Sequence, residues 1–101
     1  MIVARITFQL KYGKAKEAIA VMKEALPIQK RVLAGVDHST RILTDVTGPM
    51  YKLVMEVTVP DLATFEARTP QLFADKDMQA NMAKMAPLVE SGSREFYSVV
   101  E

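Results

Sequence analysis

The sequence predicts an α+β fold, a four-stranded antiparallel sheet with two helical regions on one face. Three observations predict it. Residues 2–10 and 50–59 alternate apolar and polar side chains with period two, the mark of strands with one face in a core. Residues 38–46 and 94–100 also read as strands, the first rich in Thr, Ile and Val. Between the first and second strands, and again between the third and fourth, the apolar period lengthens to that of a helix. The order is therefore strand-helix-strand-strand-helix-strand.

Ile2, Ala4, Ile6, Phe8 and Leu10 form the apolar side of the first strand, and Val3, Arg5, Thr7 and Gln9 the other. A helix over about 14–33 carries Ala15, Ile19, Met22, Leu26 and Leu33 near one stripe. Pro27 lacks the amide that would bond the Lys23 carbonyl and should kink or divide it, and Gly35 supplies a stop. Gly48-Pro49 joins the second strand to the third. In the third, Tyr51, Leu53, Met55, Val57 and Val59 oppose Lys52, Val54, Glu56 and Thr58. Pro60 ends that strand and Asp61 caps the next helix. Thr69-Pro70 should break this region into a short turn of helix and a longer helix near 72–89, striped by Met78, Met82, Met85 and Val89. Ser91 to Ser93 read as a turn before the closing strand.

Right-handed crossovers then give the strand order 4-1-3-2, with strands one and three expected as parallel neighbours at the centre. Their apolar sides belong under the helices. On the opposite face Arg5 can pair with Glu56, and Val3 and Val54 interrupt the polar set. That face is either wet or closed against a second copy by isologous packing. Strand two is mixed on both sides, so its buried face stays undecided.

A chain of 101 residues is expected to be one domain, 1–101, hiding roughly 65% of its unfolded surface, so burial shared with a second copy would help. With 13 basic and 12 acidic residues there is no field to attract nucleic acid or an anionic membrane. No run approaches the ~20 apolar residues of a membrane span. There is no cysteine, so thiol chemistry is excluded. A cytoplasmic location is expected.

His38 is the only histidine and the natural candidate for a catalytic base, although a lone histidine at a loop-strand junction is more often structural. No metal site is expected: Asp75 and Asp77 do not share a helical face, and no spacing points to Asp61, Glu66 or Glu90. No Gly-x-Ser-x-Gly elbow or phosphate loop occurs, and no cofactor is called for. RNA-recognition modules share this element order, but the open side of strand one has no aromatic on which a base could stack. The seven methionines favour core filling over a ligand pocket. Tyr51, Tyr97, Phe65 and Phe73 could line a cavity beside them, the phenols giving polar handles. Arg68 flanks the Thr69-Pro70 break, where a ligand could find unpaired amides.

The stretches FEARTPQLF (65–73), AKMAPLVESG (83–92), FYSVV (96–100) and DVTGPMYKLVMEVTVPDLATFEA (45–67) resemble the dimeric α/β-barrel superfamily, in its antibiotic-biosynthesis-monooxygenase-like and NIPSNAP-like groups. The resemblance implies a ferredoxin-like βαββαβ domain, a homodimer with facing sheets and a pocket between sheet and helices in each subunit. It also implies that some relatives oxidise polycyclic phenols without metal or flavin, and that others degrade haem. This chain departs from both: Arg68 stands where many oxygenase-like members have a histidine, there is no tryptophan, and the second helical region has no histidine. Asn81 aligns with no catalytic asparagine.

The function expected is therefore a homodimer holding a small apolar or aromatic molecule, with Tyr51, Arg68, Met82 and Tyr97 lining its pocket. The alternatives are a cofactor-independent monooxygenase or isomerase using His38 or a tyrosine, and a non-catalytic structural dimer.

Overall fold

The computed structural model describes residues 1–100. Its elements are β1 (Ile2–Leu10), α1 (Ala15–Val32), β2 (Ser39–Thr44), β3 (Lys52–Val59), α2 (Leu62–Ala74), α3 (Lys76–Met85), a single 3₁₀ turn (Ala86–Leu88) and β4 (Val89–Ser98). The sheet order is β2-β3-β1-β4, as the crossovers predict. All three neighbouring pairs are antiparallel, which corrects the expectation of parallel central strands. The crossover leaves β2 parallel to β1, and the short turn at Gly48 sends β3 back against β2, so β3 must also oppose β1.

Period two does what it promised. Ala4 and Leu10 of β1, with Leu53, Met55, Val57 and Val59 of β3, lie buried on the helix side. Tyr51 falls outside β3, at φ +63°, and its carbonyl accepts the Leu10 amide at 2.8 Å. The buried stripe of α1 is Ala18, Val21, Met22, Ala25 and Gln29, rotated from the expected one by its smaller residues.

Neither proline breaks its helix. α1 runs through Pro27 and α2 through Pro70. The carbonyls that each proline leaves unbonded belong to Lys23 and Glu66, both exposed, so water can satisfy them. The break expected at Thr69-Pro70 lies instead at Asp75, whose extended backbone ends α2. Its carboxylate caps α3 by accepting the Asp77 and Met78 amides at 3.0 and 3.1 Å. Arg31 of α1 donates to both its oxygens, at 2.8 and 3.0 Å, and this guanidinium is the main cause that holds the Asp75 carboxyl below the usual range.

β4 begins at Val89, so 91–93 are strand rather than turn. Gly35, with φ +84°, lies just beyond α1 as a stop. α1 and α3 supply the buried helical side chains, whereas α2 supplies none. The α2 helix therefore stands off the sheet, and the space beneath it is where the cavity lies. No helix is long and apolar enough to cross a membrane among the described residues.

Candidate functional site

A cavity of about 580 Å³ lies between the sheet and the helices. Ile6 and Phe8 of β1, with Met55, Val57 and Val59 of β3, form its floor. Met22, Ala25 and Gln29 of α1 and Met78, Asn81, Met82 and Met85 of α3 form the walls, and α2 roofs it with Phe65, Arg68 and Leu72. Gly92 and Arg94 of edge strand β4 complete the rim. A mostly apolar concavity of this size with a few polar groups suits a small organic molecule.

The methionine stripe serves both core and cavity. Met22, Met78 and Met85 are buried and also line the space, while Met82 is exposed on its rim. The polar members of the wall are held in place. Asn81 donates its amide to the Val21 carbonyl at 2.8 Å, joining α3 to α1. Gln29 donates to the Met55 sulfur at 3.1 Å and accepts the Thr40 hydroxyl at 3.1 Å. Sequence reading passes over Gln29 and gives Asn81 no role, because a single amide in an amphipathic helix has no signal of its own.

Of the predicted pocket residues, Arg68 and Met82 line the cavity and Tyr51 and Tyr97 do not. Tyr51 has a left-handed backbone, packs at the edge of the core and meets Tyr12 edge-on at 5.3 Å. Tyr97 has the wrong parity. β4 pairs Ala4 with Phe96 and Val3 with Tyr97, so Phe96 shares the helix side and Tyr97 the open side. There its hydroxyl donates to Glu95 at 2.7 Å, and that hydrogen bond is the main cause that raises the phenol's pKa. The Arg5 guanidinium lies 5.1 Å from its ring centroid. His38 also stands outside the cavity. Its Nδ1 lies 2.9 Å from the carbonyl of Val36, which does line it. The same parity brings in Arg94, which the expected pocket omits.

The open face of the sheet centres on Glu56. This carboxylate accepts Arg41 and Arg5 at 2.7 Å each, and these hydrogen bonds, Arg41's first, hold its pKa below the usual range. The Arg5–Glu56 pair is the one expected from the sequence, and Arg41 of β2 adds a second cation. The register aligns Arg5, Glu56 and Arg41 across three strands, which settles the faces of strand two. Ser39, Arg41 and Leu43 share the open face, and Thr40 and Ile42 the helix side.

No family model and no curated protein sequence matches the chain. Solved structures do match its fold. An uncharacterized NIPSNAP domain protein from Burkholderia xenovorans is 22% identical, with a TM-score of 0.84 over 99% of this chain and 95% of that one. A NIPSNAP family protein from Agrobacterium tumefaciens is 20% identical, with a TM-score of 0.83 over 99% and 93%. An antibiotic biosynthesis monooxygenase is 12% identical, with a TM-score of 0.75 over the full length of both chains. The ferredoxin-like α+β fold is therefore the one seen in NIPSNAP and antibiotic biosynthesis monooxygenase structures.

Proposed function

We propose that this chain is a homodimeric cytoplasmic protein that binds a small, largely apolar or aromatic molecule in the cavity between sheet and helices. The observation that carries the reading is the cavity itself, about 580 Å³ walled by methionine, phenylalanine and aliphatic side chains. Arg68 and Met82 are its binding residues from the sequence. Among the described residues, the ionisable side chains on the wall are guanidiniums, which neither take nor give a proton near neutral pH. This supports binding rather than the oxygenase reading, in which His38 or a tyrosine moves a proton. The dimer reading is supported by the half-buried Val3, Thr7, Val54 and Thr58 beside exposed Leu43 and Tyr97, a partly apolar sheet face with no helix over it.

Native mass spectrometry of the purified protein tests both parts. Ions of a dimer carrying extra small-molecule mass are expected. A monomer at micromolar concentration would remove the dimer. A second test concerns the cavity floor. A Cβ at Gly92 would lie 3.0 Å from Phe8 Cδ1 and 3.2 Å from Cε1, and the Phe8 ring lines the cavity. Gly92→Val should push that ring into the space. Uptake of an apolar fluorescent probe should fall severalfold while the circular dichroism spectrum is retained; unchanged uptake would place the probe elsewhere.

A further inference from the structure

We infer that the molecule taken into this cavity is an apolar or aromatic acid, its carboxylate held at the rim by Arg68 and Arg94. The inference rests on the cavity being a binding site and names the chemistry of its occupant.

Among the described residues, Arg68 and Arg94 are the only ionisable side chains on the wall, and no acidic group offsets them there. The chain's other arginines are all paired: Arg5 and Arg41 with Glu56, and Arg31 with Asp75 and Asp77. Arg68 and Arg94 have no carboxylate within 4 Å among the described residues. The single hydrogen bond of the Arg68 guanidinium is a long one, 3.4 Å to the Gln71 side chain. Two cations thus border an apolar space without a counter-ion among the described residues.

They also belong to one end of it. Phe65 and Phe96 meet edge-on, with ring centroids 5.1 Å apart. Arg68 lies three residues beyond Phe65, on the same side of α2. Arg94 lies two residues before Phe96, on the same face of β4, with its guanidinium 5.4 Å from the Phe96 ring centroid. One aromatic pair therefore carries an arginine on each flank, one from the roof and one from the edge strand. A guanidinium offers a planar fork of donors that matches a carboxylate. The apolar wall beside it lowers the local dielectric and strengthens the attraction. An acid with a hydrocarbon or aryl body would satisfy both parts of the site at once. A neutral molecule of the same shape would leave both cations without a carboxylate partner.

The test is a fluorescence titration with 2-naphthoate and its neutral counterpart 2-naphthylmethanol. For the native protein at low salt we expect the acid to bind roughly tenfold tighter than the alcohol, the scale of one charge-assisted interaction. The preference should shrink as salt is added. In the double variant Arg68→Gln, Arg94→Gln the acid should lose about that tenfold, and the alcohol should change by less than about twofold. Both side chains lie at the rim, and an unchanged melting temperature would confirm that the fold is kept. Equal affinity for the two probes, or a preference that survives the double variant, would overturn the acid while leaving the cavity as a binding site. Binding of neither probe would overturn the cavity reading and this one with it.

Discussion

Leu53→Ala should destabilise the protein by roughly 3 kcal/mol, read as a lower urea midpoint with an unchanged slope. Leu53 is 0% exposed in the central strand β3, packed in the core with Leu10 and with the small and apolar residues of α1. Truncation there removes apolar contacts and leaves a void that two sheet neighbours cannot close. Such a loss is a large part of the 5–15 kcal/mol that typically holds a domain together. Met82→Ala gives the contrast. Met82 is 42% exposed on the cavity rim, so its loss should cost less than about 1 kcal/mol of stability. It should still weaken binding of an apolar probe. If the two substitutions destabilise equally, the methionines of α3 are simply core and the cavity is a packing gap.

The contrast also marks what the sequence can and cannot disclose. Alternation located β1 and β3 well, because burial of one sheet face imposes period two on the residues themselves. The Arg5–Glu56 pair was legible for the same reason, since both lie on the second side of central strands. Proline misled: the helix break expected at Thr69-Pro70 lies at Asp75. A proline costs an amide bond, but at positions 27 and 70 the orphaned carbonyls lie on exposed residues. Asp75 ends α2 and caps α3 in one residue, and the Arg31 bonds that fix it are tertiary. The sequence reads β4 too short because Ser91-Gly92-Ser93 has turn composition. Gly92 is there for another purpose, to leave room for the Phe8 ring. The cavity was half legible. Met82 follows from the helical spacing and Arg68 from its place beside Thr69-Pro70, whereas Tyr97 has the parity of the open face and Arg94 that of the helix side. Only the register of Ala4 with Phe96 decides that parity. Tyr51 lies outside the cavity and takes a left-handed backbone angle that no side-chain pattern announces.

Glu56→Gln should lower stability by roughly 2 kcal/mol at pH 7, with the deficit narrowing as the solution is made acid. Glu56 is 4% exposed at the centre of the open face, and each of its oxygens accepts a guanidinium at 2.7 Å. Glutamine keeps the shape but loses the charge that both arginines face. The cost stays below that of a fully buried broken pair because the side chains of Arg5 and Arg41 are 41% and 70% exposed, so water takes over much of their solvation. The pH dependence follows from the direction of the shift. Hydrogen bonds from Arg41 and Arg5 lower the folded-state pKa of Glu56. The folded protein therefore binds fewer protons than the unfolded chain below the ordinary glutamate range, about 4.3. The stabilisation is complete above that pH and is lost as pH falls through the folded value. Asp61 and Asp75 are lowered as well, so the native protein and the variant should both weaken in acid. What should disappear is the difference between them. Urea melts of the two proteins at pH 7 and pH 3 check this directly, and a deficit of equal size at both would mean that Glu56 acts by packing and not by charge.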